Sequence, residues 1–165
     1  MFEKKQWVFN FKKFSAHLAN KSLKVIQGYC NLYLQEMGSD IQIRIEGYRQ
    51  KSDGSLSEKI TPYIIRGGEV RKYGSFSKGE RGRVNLASCL AIVAIINKTH
   101  KYGGLENFMA DELFEGVDEK GLALIIKSVE KLSVPMMLTT HVTNRSVSSN
   151  ILLVRKENNI SKLIY

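Results

Sequence analysis

Apolar residues at the start of the chain fall at helical spacing. Trp7, Phe11, Phe14, Leu18, Val25, Tyr29, Leu32 and Tyr33 recur mainly at three- and four-residue intervals between about Lys5 and Met37. This predicts one long amphipathic helix, with a break near Asn20 or Gly28. Such a helix is either the end of a coiled-coil arm or a helix laid on a sheet. Ile41, Ile43 and Ile45 then alternate with polar neighbours, which is the period of a half-buried strand. Asp53-Gly54 offers a turn and Tyr63-Ile64-Ile65 a returning strand, with Pro62 marking an edge or bulge. The run from Gly67 to Gly74 reads as a loop.

The second half changes period. From Glu80 to about Lys98, Val84, Ala87, Leu90, Ala91, Ala94 and Ile95 line one broad face of a strongly apolar helix. Leu105 to Ala110 predicts a short buried strand, Glu119 to Leu132 a helix, and Val134 to Thr140 a second buried strand. Ile151 to Arg155 and Ile160 to Ile164 flank Glu157-Asn158-Asn159 as a terminal hairpin. Helices alternating with buried strands predict an α/β sandwich with a partly parallel sheet.

Composition narrows this further. With 165 residues, 43% apolar and only two prolines, the chain suits one domain. Within it, residues 1–38 form the helix, 39–74 the hairpin and loop, and 75–165 an α/β lobe. Lys and Arg number 25 against 16 Asp and Glu, a formal charge of +9 that favours polyanionic partners such as DNA or nucleotide. The basic residues are spread out, so no binding tail is marked. Cys30 and Cys89 form no Cys-x-x-Cys pair, which argues against a zinc site or a disulfide framework. There is no leader-like segment and no apolar run of about 18 residues. The expectation is a soluble cytoplasmic or nucleoid-associated protein with no membrane contact.

Two places carry candidate chemistry. Ser77-Lys78-Gly79-Glu80 opens the apolar helix, where unpaired N–H groups and the helix dipole favour an anion. Taken alone, it is also an ordinary helix cap with Glu80 in the first turn. Asp111 and Glu112 end an apolar strand, the position where α/β folds place ligands. Asp111 suits a magnesium ion and Glu112 an attacking water; alone, the pair reads more readily as a solvated strand end. Asp118 follows after Gly116, and the next strand ends in Thr139-Thr140-His141. A parallel neighbour would bring His141 beside Glu112, where an imidazole can hydrogen-bond a phosphate. His17 and His100 lack such a setting and read as structural or exposed.

The order of these parts resembles the C-terminal half of the ABC-type ATPase head of SMC-like DNA repair proteins. It is closest in kind to the SbcC-type large subunit of repair and phage recombination nucleases. Phe76-Ser77-Lys78-Gly79-Glu80-Arg81 resembles the signature motif, and Met109-Ala110-Asp111-Glu112 resembles Walker B. Glu115-Gly116-Val117-Asp118 is similar to the D-loop, and Thr140-His141 to the switch histidine. The resemblance covers Ser75 to the end; the earlier helix would be the returning coiled-coil arm. Lys78 departs from the usual Gly and Phe76 from the usual Leu.

The fold this implies is the C-terminal lobe of an ABC-type P-loop NTPase-like head. The resemblance also implies roles for single residues. Ser77 and Gly79, with Lys78 and Glu80 in the same turn, would contact the γ-phosphate of ATP held mainly by a second head. Asp111 would support Mg2+, Glu112 would be the base, His141 would sense the γ-phosphate and Asp118 would couple the two sites. Implied partners are a second head, a nuclease subunit and DNA. The phosphate loop Gly-x-x-x-x-Gly-Lys-Ser/Thr does not occur in the chain. It would come from an N-terminal ATPase half, and the isolated chain is expected to be inactive. The competing expectation is an inert head that binds DNA or scaffolds a complex.

Overall fold

A computed structural model describes residues 11–57, 59–100, 104–105, 107–111, 117, 119–131, 135–139, 153–157 and 160–164. Helix α1 spans Phe11–Glu36. It runs through Asn20 and Gly28 without the break expected there. Asn20 bonds its side-chain amide to the backbone of Tyr48 and not to its own helix, and one glycine costs a long, packed helix only about 1 kcal/mol. Cys30, Tyr33, Leu34 and Met37 form a buried stripe at the i, i+3, i+4, i+7 spacing of one helix face. A Schellman turn ends the helix: Gly38 N–H donates to Gln35 O at 3.0 Å and Ser39 N–H to Leu34 O at 2.9 Å. Gly38 holds φ +68°, a conformation that a side chain disfavours.

Strand β1 (Ile41–Glu46) follows at once, and β2 (Arg49–Gln50) and β3 (Leu56–Ser57) close a short inner hairpin. Asp53 tightens that turn by accepting from the Ser55 N–H at 2.8 Å and the Ser55 hydroxyl at 2.6 Å, which hold its carboxyl below the usual carboxylate range. Strand β4 (Thr61–Arg66) returns antiparallel to β1 in the register Ile41↔Arg66 to Glu46↔Thr61. The segment expected as loop supplies another strand, β5 (Glu69–Arg71), turned back on β4 through Gly67-Gly68. The sheet order is β1-β4-β5. Pro62 fits the edge expectation. β5 stops at Ile64, and the β1 residue opposite Pro62, Ile45, gives its N–H to Gln27.

The outer edge of β1 is covered by α1 through side-chain amides. Asn31 accepts from Ile43 N–H at 2.7 Å and donates to Ile43 O at 3.0 Å. Gln27 accepts from Ile45 N–H at 2.8 Å. Asn20 accepts from Tyr48 N–H at 2.8 Å and donates to Tyr48 O at 2.7 Å. Positions 20, 27 and 31 share one helix face, so three amides stand in for a neighbouring strand.

Helix α2 (Lys78–Thr99) packs on α1, burying Val84, Leu86, Ala87, Leu90, Ala91 and Val93. Strand β6 (Phe108–Asp111) and β7 (Met136–Thr139) run parallel, joined through helix α3 (Glu119–Glu130). The core expected from the sequence forms here: Leu122, Ile125 and Val129 of α3 join the residues of α1, β1 and α2 in one cluster. Two strand expectations need correction. β6 takes in Asp111, and neither strand is buried on both faces. Ala110 is buried, whereas Met109 is 76% and Met137 58% exposed. Leu153–Glu157 (β8) and Ile160–Ile164 (β9) pair as the expected terminal hairpin.

Candidate functional site

The signature-like segment begins with a 3-10 turn, Tyr73–Ser75, in which Phe76 N–H reaches Tyr73 O at 3.3 Å. Phe76 is buried in the core, and Arg81 Nη1 donates to its carbonyl at 2.5 Å. Arg81 also lies over the Tyr73 ring at 5.9 Å, while the Tyr73 hydroxyl donates to Asn85 Oδ1 at 3.0 Å. The approach to Ser77 is therefore fixed on both sides by packing and cation–π contact.

Ser77 is the N-cap of α2. With φ −60° and ψ 164° it is extended, and its Oγ accepts from Glu80 N–H at 3.3 Å. Glu80 Oε2 accepts from Ser77 N–H at 2.8 Å, completing a reciprocal capping box. Lys78 is exposed and Gly79 is buried in the first turn. Four of the expected residues thus share one helix N-terminus, where the helix dipole favours an anion.

Arg66, a residue the sequence reading passed over, completes the arrangement. Its Nη2 donates to Glu80 Oε1, and its Nε and Nη2 reach Asp40 Oδ1 at 3.2 and 3.0 Å. The guanidinium also sits over the Phe76 ring, 5.1 Å from its centroid. The Arg66 bond, followed by that from Ser77 N–H, holds the Glu80 carboxyl well below the usual range, at about 2. The same bond to Glu80 raises the already high pKa of Arg66.

Asp111 stands on a different element, at the exposed end of β6 and in register with Thr139 of β7. The Thr139 hydroxyl donates to Asp111 Oδ1. A single carboxylate beside a hydroxyl fits magnesium, which takes one or two carboxylates and fills its shell with water and phosphate oxygens. Among the described residues, no cluster of three His, Cys, Asp or Glu could hold a metal without such help. Glu112, Asp118 and His141 lie outside the described residues. His17 and His100 are exposed. No helix among the described residues is long and apolar enough to cross a membrane.

No protein-family model matches the chain, and no curated protein matches it in sequence. The solved structures do match in fold. One, from a study of ATP-driven dimerization and DNA-stimulated activation of SMC ATPases, aligns with a TM-score of 0.63 at 13% identity, covering 90% of this chain and 88% of that one. An Smc head bound to the C-winged helix domain of ScpA aligns at 0.68 and 14% identity, covering 95% and 47%. The Smc head domain with a coiled coil and joint from Pyrococcus yayanosii aligns at 0.70 and 13% identity, covering 96% and 30%. The chain spans less than half the length of these last two. At such identities the fold is what is shared: a mixed helix and strand fragment of an SMC ABC-type ATPase head.

Proposed function

We propose that this chain is the C-terminal half of an SMC-like ATPase head, whose ATP-dependent pairing with a second head controls its grip on DNA. The observation that carries the proposal is the register of the parallel pair: Asp111 and Thr139 face each other at the ends of β6 and β7. Glu112 follows the one and Thr140-His141 the other in sequence. The capped start of α2 supports the same reading, because the positive end of the helix dipole beside Ser77 favours an anion.

In this reading a γ-phosphate held by a second head meets Ser77 and the N-terminus of α2, bridging two chains. Asp111 would hold magnesium, which neutralises phosphate charge when bound. Glu112 takes the proton of the attacking water, His141 hydrogen-bonds the γ-phosphate and reports its loss, and Asp118 couples the paired sites. Hydrolysis removes the bridge, and the heads part. The phosphate loop comes from another segment or chain. Assignment to the SbcC-type branch, acting with a nuclease in double-strand-break repair or recombination, rests on the motif resemblance. A solved neighbour carries instead the C-winged helix domain of ScpA.

Steady-state ATP hydrolysis tests the proposal, first by this chain alone and then by its mixture with a half carrying the phosphate loop, with and without DNA. Activity is expected only in the mixture. Glu112→Gln should abolish turnover while ATP-dependent association persists. Inactivity in a mixture shown to assemble overturns the ATPase reading in favour of an inert DNA-binding or scaffold head.

A further inference from the structure

An anion-binding helix end that carries a carboxylate in its own first turn has an electrostatic problem. Glu80 completes the cap of α2, yet its negative charge opposes the phosphate that the same turn would receive. We propose that Arg66 is a positioning residue for the Ser77 end of α2. It clamps and offsets the Glu80 carboxylate, so that Ser77 and the N-terminal end of α2 present one rigid face to phosphate. This inference rests on the ATPase reading above.

The geometry supports it from several sides. Arg66 is the last residue of β4, paired with Ile41 on one side and Glu69 on the other, so the sheet fixes its backbone. Its guanidinium reaches the residue before Ser77, by lying over Phe76, and the residue three beyond it, by bonding Glu80. The Arg66 and Glu80 side chains are 34% and 27% exposed, against 70% for Asp40. The bond to Glu80 is the less hydrated of the two and counts for more. Only a planar guanidinium can stack on a ring while bonding two carboxylates; a lysine ammonium supplies the charge without the fork.

The test compares wild type, Arg66→Gln, Arg66→Lys and Asp40→Asn in the mixture with the half carrying the phosphate loop, using ATP as the probe. Arg66→Gln is expected to raise KM for ATP about tenfold, the size of one charge-assisted hydrogen bond, with a smaller loss in kcat. Arg66→Lys should recover part of the loss, and Asp40→Asn should stay within about twofold of wild type. A KM within about twofold of wild type for the Arg66 variants that fold overturns the proposal. In the chain by itself, NMR titration of the Glu80 carboxyl should move from about 2 toward 4.5 in Arg66→Gln or Arg66→Lys. An unmoved titration also overturns the clamp. A wild-type mixture without ATP turnover overturns the ATPase reading and with it the phosphate role of Arg66, while the titration still reports whether the clamp exists.

Discussion

The side-chain amide of Asn31 forms a two-bond ring with the backbone of Ile43, accepting from its N–H at 2.7 Å and donating to its C=O at 3.0 Å. The amide is bonded as a facing strand would be. Asn31→Leu keeps the shape and removes both bonds, leaving two backbone groups without partners on a half-covered edge. The expected loss is about 2–3 kcal/mol, read as a lower urea midpoint with unchanged slope.

Gly47 is held to glycine by the same ladder. A Cβ there would come within 2.7 Å of Leu23 Cδ1 and closer still to Asn20 Oδ1, an atom already committed to Tyr48 N–H. Gly47→Ala should cost roughly 1–3 kcal/mol in chemical unfolding. In Asn20→Ala/Gly47→Ala the two losses should fall short of their sum, because the first change removes the nearer of the two obstacles and leaves only Leu23.

Glu80 makes stability depend on acid in a defined window. Its folded-state pKa, about 2, lies below the ordinary value of 4.5. The contribution is therefore complete above about 4.5 and is lost as pH falls from 4.5 toward 2. The stability difference between wild type and Glu80→Gln should be largest near neutrality and shrink through that window. A difference that stays constant down to pH 2 would sink the assignment.

The two thiols should react at different rates. Cys30 is buried between α1 and α2, and burial pushes its thiol pKa up, whereas Cys89 is partly accessible. In native protein, a thiol-reactive dye should label Cys89 first, with Cys30 reacting only at the rate of opening. Mass spectrometry of peptides after a short labelling pulse checks the order.

What the sequence disclosed was what depends on local periodicity. The existence of α1, the stripe of α2, the hairpin partners Ile41–Ile45 and Tyr63–Ile65, and the two parallel strands each show in neighbouring residues. The face of α1 did not, since Phe14, Leu18, Val25 and Leu32 are exposed and the buried stripe is Cys30, Tyr33, Leu34 and Met37. The site was legible as far as Ser77 and Glu80, because a capping box is itself local. Arg66 was not, since its meeting with Glu80 depends on strand register, and a slip of one residue would send it to the other face. β5 was hidden by its glycine turn and charged residues. The amide ladder did leave a trace: Asn20, Gln27 and Asn31 sit seven and four apart, polar positions on one face where an ordinary solvent-facing stripe is the commoner reading. Met109 and Met137 were expected inside because an apolar run shows no sidedness; each lies exposed.

The ladder also has a mechanical consequence. Asn20 to Asn31 spans about 17 Å of α1, at 1.5 Å per residue, bonded to β1 and to Tyr48 just beyond it. The whole helix, 26 residues, is about 39 Å long. A tilt of about 5° at its Gly38 end would carry the far end roughly 3 Å, from the same rise per residue. Because Arg66 belongs to that sheet and bonds to Glu80, one run of bonded contacts leads from α1 through β1 and β4 to the Ser77 cap.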